Sequence, residues 1–374
     1  MKLIWSIASP HVMQSVANTI ASGHEVEIIL PSWIIDPTTI NTGNANVHIV
    51  SDTVDLLDTL NYILANNKID YLVPSFPDAI TEQVAEICQQ HKIAFVEKST
   101  ARILSSKYNY YRLWKALSIP MPEIYNKITQ VELPCIVKPY RGQASNGVKI
   151  LTNINEATEF FSTNEYIVQQ YIPGDIVSFV GTVVDGQIDI DLCYDIESDA
   201  FPFAPETGLI FPSKYSFLQT QVTEHLQRFF NVVQLNNVPF MLDVVVDATG
   251  QFYFIDFAAR LSMGGLLLMP YGGEENYVNK VLSRMHHAQF VVQLTSAVLF
   301  RQLGLPCGDI KEISCENSNL AAKLELPKQV VVASHDNCVY PNGYAIVTGN
   351  TRDEVEDKFK QCVDSISVEY YNKI

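Results

Sequence analysis

Two aspartates thirteen residues apart, Asp243 and Asp256, lie in the apolar runs MLDVVVD and QFYFIDFAA, joined by turn residues. A two-residue turn at Thr249–Gly250 sets their side chains directly opposite one another across a hairpin, about 4.5–5.5 Å apart at Cβ, where like charges repel. A shared proton, an Arg or Lys, or a hard divalent cation answers that repulsion; Mg²⁺ (or Mn²⁺ in its place) takes one or two protein carboxylates plus substrate phosphates. The alternative is a solvated pair on an outer face, and the apolar flanks of both strands weigh against it. Arg260 follows in AARLSMGG, where small residues, Gly264 and Gly265 among them, let a ligand approach the backbone closely. A guanidinium there suits a developing phosphoryl or acyl-phosphate charge; a plain salt bridge to an aspartate is the competing role.

Two lysines precede this hairpin. Lys138 ends the run CIVK and leads into YRGQASNG, whose Gly142, Ser145 and Gly147 allow backbone N–H groups to cradle phosphate oxygens. Taken alone, such a loop is more often a plain hairpin connection. Lys107 stands near the start of a predicted helix over 105–117 and, by itself, reads as a solvated lysine.

The elements that must position these residues fall into three stretches. Over 1–98, short apolar runs at 2–7, 25–30, 71–76 and 93–96 alternate with helical patterns at 10–22, 53–65 and 79–91, which predicts a doubly wound α/β domain with a parallel sheet. No GxGxxG loop follows its first strand, so a dinucleotide cofactor gains no support. The proline-punctuated SIPMPEIY marks a hinge. Beyond it, a β-rich stretch includes a hairpin at Asp185–Gly186, and an amphipathic helix at 217–236 precedes the aspartate hairpin. Helices are predicted near 274–285 and at 351–366, with strands in QVVVA and GYAIVT.

The 374 residues are 47% hydrophobic and 18% charged, with 25 Lys+Arg against 41 Asp+Glu. The resulting net charge of -16 repels nucleic-acid backbones and anionic membranes. No signal-peptide core or membrane span is legible, which predicts a cytoplasmic protein. Cys88, Cys135, Cys193, Cys307, Cys315, Cys338 and Cys362 show no zinc spacing and are expected as reduced thiols, mostly in packing roles.

In order, Lys107 with LSIPMP, IVKPYRGQASNGV, VQQYIPGD and MLDVVVDATGQFYFIDFAARLSMGG resemble the ATP-grasp superfamily over nearly the whole chain, particularly its carboxylate-amine and L-amino-acid ligase branch. The resemblance implies an N-terminal α/β domain over 1–98, a small antiparallel lobe over 99–175, and a large lobe over 176–374 with a C-terminal subdomain from about 305. It implies that Lys107, Lys138 and the 141–147 loop hold ATP phosphates, and that Gln169, Gln170, Tyr171 and Ile172 line the adenine slot. By the same resemblance Asp243 and Asp256 hold Mg²⁺, Arg260 stabilises the transferred phosphoryl group, and Glu206, Gly264 and Gly265 face the substrate. The implied reaction joins a small carboxylate to an amine, amino acids foremost, releasing ADP and phosphate. Members of such folds often dimerise, which leaves a homodimer among the open oligomeric states, with no interface marked in the sequence. Three departures stand out: Ile176 where the ribose acid belongs, Ala258 where a metal-binding asparagine belongs, and Leu209 where the ligase branch carries histidine. Ile176 and Ala258 motivate a competing expectation, a nucleotide-binding or regulatory protein without turnover, while Leu209 points to a different substrate pocket.

Overall fold

The computed structural model describes residues 1–6, 13–33, 43, 45–142, 146–163, 165–198, 207–274, 277–285, 292, 294–327, 329–330 and 342–373. The chain opens with β1 (Lys2–Ser6), α1 (Met13–Ala21), β2 (Glu25–Pro31), β3 (Asn46–Val50), α2 (Thr53–Asn66), β4 (Tyr71–Val73) and α3 (Thr81–His91). The strands form a parallel sheet in the order β3-β2-β1-β4. Continuous burial of β1 and β2 is what a sheet covered on both faces requires.

The run at 93–96 is not a strand; β3 is the fourth strand instead. Lys92, in the left-handed region at φ 59°, ends α3, and only a few residues separate it from α4 (Lys98–Leu104). The run's apolar residues serve as a plug between two cores, Ile93 and Phe95 against one and Val96 within the other. β3 escapes sequence detection because Val47 and Ile49 are exposed, so its apolar residues do not mark a buried face.

After α5 (Lys107–Ala116) comes a small lobe of β5 (Cys135–Pro139), β6 (Lys149–Leu151), α6 (Ile154–Phe161) and β7 (Tyr166–Gln170). Its antiparallel sheet, β6-β5-β7, has a core of Cys135, Val137, Leu151, Ala157 and Val168. Residues of alternate parity point the other way: Ile136 and Lys138 on β5 share a face with Ile167 and Gln169 on β7.

The remainder comprises β8 (Gly174–Val184), β9 (Gln187–Glu197), β10 (Gly208–Phe211), α7 (Gln219–Val233), β11 (Val238–Asp247), β12 (Phe252–Ala258), α8 (Met263–Leu268), α9 (Tyr277–Met285), β13 (Ala297–Gln302), β14 (Gly308–Cys315), β15 (Lys323–Glu325), β16 (Gln329–Val330), β17 (Tyr344–Gly349), α10 (Arg352–Asp364) and β18 (Ile366–Lys373). The predicted β8–β9 hairpin turns on Asp185 and Gly186, both at positive φ (51° and 77°). An eight-stranded sheet runs β12-β11-β8-β9-β10-β13-β17-β15. One face packs on α7 through Phe229 and Phe230 against Phe240, Phe254 and Phe257. On the other, Val180, Leu192 and Tyr194 join α8 and α9 and merge with Leu3, Trp5 and Val16 of the first sheet's surroundings into one core. The expected terminal helix stops at Asp364, and the alternating ISVEYY that follows pairs with β14 as β18.

Candidate active site

Asp243 and Asp256 are register partners across β11 and β12. The turn that delivers them differs from the two-residue one expected. Asp247 N–H bonds to Gln251 O (2.9 Å), leaving Ala248, Thr249 and Gly250 as the loop, with Gly250 at φ 85°. That register, continued, would set Asp243 opposite Ile255. A β-bulge between Asp243 and Val244 in the pairing supplies the missing residue on β12 and restores Asp256 to its partner. The bulged Ile255 offers its carbonyl to Lys138 Nζ (3.3 Å) and, at short distance, to the Tyr111 hydroxyl.

Cations reach this hairpin from two separate elements. Lys107, at the N-terminus of α5, is buried and ion-pairs with Asp256 Oδ1, which also accepts from the Tyr110 hydroxyl at 2.7 Å. Burial pushes the Asp256 carboxyl up, but Lys107 and the Tyr110 hydrogen bond outweigh it, so the group stays below the usual carboxylate range and is ionised. Lys138 comes from β5 of the small lobe and touches Tyr111 OH at 3.4 Å. Burial, with the nearby Lys107 charge, lowers its ammonium to about 8 against the pull of Asp256 and Asp243. Tyr110 and Tyr111, raised well above the phenol range by burial and by Asp256, act as neutral donors.

Arg260 is turned from the two aspartates of the hairpin to a third. Its Nε and Nη2 donate to Asp78 Oδ1 (2.7 Å) and Oδ2 (3.1 Å), a bidentate clamp, and Nη1 donates to Leu261 O. Leu261 N–H bonds Pro74 O at 2.8 Å, so the chain after β12 is tied twice to the segment after β4. Burial opposes the guanidinium charge, and Asp78 more than restores it.

Gln169 is almost fully buried on the small sheet's Lys138 face, and its Oε1 has no hydrogen-bond partner. Gln170 is held at the sheet edge by Glu123, whose carbonyl takes its N–H at 2.8 Å. Tyr171 and Ile172 follow β7 half-buried. Gly147, at φ 75°, lies so near Pro139 that a Cβ would stand 2.8 Å from its ring, and Gly142 begins the same loop. Ser145 and Glu206 lie outside the described residues. Gly264 and Gly265 open α8 beside Ser262: a Cβ at Gly264 would come 2.4 Å from the Tyr194 hydroxyl, and Gly265 N–H bonds Ser262 Oγ. Ser178, the β8 partner of Asp243, is buried with its Oγ unpartnered. Ile176, two residues back, lines a cavity of about 270 Å³ in which Asp175 pairs with Lys214 and Asp195 with Arg352.

Lys107, Lys138, Asp243 and Asp256 are thus brought together, with Gln169 on the facing sheet, while Arg260 is drawn aside. The donor set suits a magnesium–nucleotide unit: two opposed carboxylates, two cations, and buried polar atoms facing the cleft. Among the described residues no group of three or more His, Cys, Asp or Glu gathers as a metal cluster. Sequence reasoning missed Tyr110 and Tyr111, although they lie three and four residues after Lys107 on one helical face. It also missed Asp78, which no local pattern connects to Arg260.

Residues 104–261 match the family model of the ATP-grasp domain. No curated protein matches the chain. Among solved structures, an L-amino acid ligase from Bacillus licheniformis superposes with TM-score 0.75 at 14% identity, covering 99% of both chains. A phosphoribosylglycinamide synthetase from Anaerococcus prevotii gives 0.74 at 16% identity, again over 99% of each. The biotin carboxylase domain dimer of 2-oxoglutarate carboxylase from Hydrogenobacter thermophilus, a complex with MgADP and bicarbonate, gives 0.70 at 11% identity over 98% of this chain and 90% of that one. These likenesses extend the ATP-grasp fold across the whole chain.

Proposed function

From the match of residues 104–261 to the ATP-grasp domain model and the likeness of fold over the whole chain, we propose that this protein is an ATP-dependent carboxylate-amine ligase, working through an acyl phosphate and releasing ADP and phosphate. The observation carrying this reading is the convergence of Lys107 and Lys138, from two different elements, on the in-register Asp243–Asp256 pair. In this reading a substrate carboxylate oxygen attacks the γ-phosphorus of ATP, ADP departs, and an amine then displaces phosphate from the acyl carbon. Such transfer needs alignment and charge stabilisation more than a strong base.

Lys107 and Lys138 hold the phosphates, the 141–147 loop covers them, and Gln169, Gln170, Tyr171 and Ile172 bound the base. Asp243 and Asp256 would hold Mg²⁺, which would supply positive charge to offset that of the phosphates. Arg260 leaves Asp78 in part to meet the transferred group, while Gly264, Gly265 and Glu206 border the acceptor. The same reading divides the chain at 1–98, 99–175 and 176–374, and takes amino acids as the first substrates to try. Among the described residues no helix is long and apolar enough to cross a membrane.

Purified protein with Mg-ATP and pooled amino acids tests this, by assaying ADP and phosphate against AMP and pyrophosphate. The expected result is substrate-stimulated ADP and phosphate release, reduced about 100-fold or more in Asp256→Ala and Arg260→Ala. ATP binding without stimulation by amino acids, other small carboxylates or amines would overturn the ligase and leave a nucleotide-binding protein.

A further inference from the structure

Far along the chain from the nucleotide cleft, the end of β14 and the C-terminal end of α10 meet at two sulfurs. Cys315 Sγ lies 3.7 Å from Cys362 Sγ, 47 residues apart in sequence. Their backbones are already fixed: Cys315 is the ladder partner of Ile366, Glu316 N–H bonds Ser365 O, and Asn317 N–H bonds Ser365 Oγ at 3.1 Å. Cys315 Sγ also contacts Ser365 Oγ (3.3 Å) and the Cys362 carbonyl (3.5 Å). Cys88, Cys135 and Cys193, by contrast, are buried in three different cores.

We propose that Cys315 and Cys362 form a redox modification site, a dithiol that closes to an intrachain disulfide by exchange with a small-molecule disulfide. Cys362 is fully buried, while Cys315 is half-exposed and is the sulfur an outside reagent meets first. Burial, then the contact with Cys315, pushes the Cys362 thiol up to about 11, which reserves it for the second step. Cys315 thiolate attacks one sulfur of R–S–S–R and expels RS⁻, giving a mixed disulfide. Cys362 thiolate then attacks Cys315 Sγ and expels the second RS⁻. The cysteines lose two electrons, the reagent gains them, and the two cysteine protons end on the two released thiols. Closure brings the sulfurs from 3.7 Å to about 2.05 Å. The bond would pin the C-terminal end of α10, the helix whose other end carries Arg352 to Asp195.

The test treats the full chain with glutathione disulfide, blocks remaining thiols and maps peptides by mass. Expected are a Cys315–Cys362 crosslink with the loss of two hydrogens, its absence in Cys315→Ser and Cys362→Ala, and a melting temperature at least about 3 °C above the reduced protein, reversed by dithiothreitol. Slower amide exchange at 308–315 and 352–365 in the oxidised form would further support the site. Glutathione retained at Cys315 without a crosslink, a crosslink to Cys307 or Cys338 instead, or a disulfide that lowers the melting temperature would overturn it. Because Cys315 is half-exposed, Cys315→Ser is expected to fold, so failure of the buried Cys362→Ala to fold leaves the test intact.

Discussion

On the eight-stranded sheet and just beyond it, Asp256 is met by Lys107 and Tyr110, and Arg260 by Asp78; on the small sheet, Gln169 keeps a buried oxygen unpartnered, and the described start of the adjoining loop meets other elements through the Tyr140 carbonyl, which accepts from Lys107 N–H at 2.8 Å, and through Arg141, 3.8 Å from Glu82. The large lobe has compensated its charges within the protein, as buried ions must. The small lobe has kept polar capacity in reserve. A polyphosphate entering between them would exchange partners on one side and supply missing ones on the other, so the two sides should respond differently to mutation.

Asp78→Ala breaks the compensated side hardest. It leaves a buried guanidinium without its acid and severs one of two ties between the β4 segment and the chain after β12. The melting temperature should fall by about 5 °C or more, with kcat reduced about tenfold as Arg260 loses its bearing. Calorimetry with steady-state kinetics measures both, and an unchanged protein would show that the clamp positions nothing.

Lys138→Met sharpens the contrast, since it removes a buried ammonium whose cost shows in its lowered pKa. Nucleotide affinity should fall about tenfold or more while the melting temperature holds or rises, as titration calorimetry and thermal unfolding would report. The wild-type protein should bind ATP with constant strength below about pH 8 and progressively less above it, because Lys138 loses its proton through that value. Lys138→Arg should flatten the profile. Gln169→Leu carries the smallest effect, a few-fold rise in the ATP dissociation constant with slightly higher stability, because the buried oxygen has no protein partner to lose. A marked loss of stability would mean the amide is structural.

The aspartate pair was legible in the sequence through hairpin symmetry, though through two departures that cancel: one more loop residue than expected, then a bulge at Ile255. The bulge is not a defect to be averaged away, since its freed carbonyl anchors both Tyr111 and Lys138. The α/β opening was legible from its alternating runs, yet 93–96 was misread because apolar composition reports burial and not the hydrogen-bonding partner a strand needs. The Arg260–Asp78 clamp spans 182 residues, and only the tertiary arrangement brings it about. Ile176 lies on β8 and Ala258 on β12 of the eight-stranded sheet, and the acid beside Ile176, Asp175, is engaged by Lys214.

The core that runs unbroken from Trp5 and Val16 into Leu266, Met269 and Val281 has a consequence for how such a protein can change. A segment that shares its hydrophobic wall with its neighbour cannot be lifted out, transplanted or expressed alone without baring that wall to water. Recombination between relatives near residue 98 would join mismatched halves of one interior, whereas exchange of the small lobe, which keeps a core of its own, would disturb chiefly the contacts of Ile167 and Lys138 with the large sheet. Inheritance in this chain should therefore run by drift within the first and last thirds together, and by exchange only in the middle.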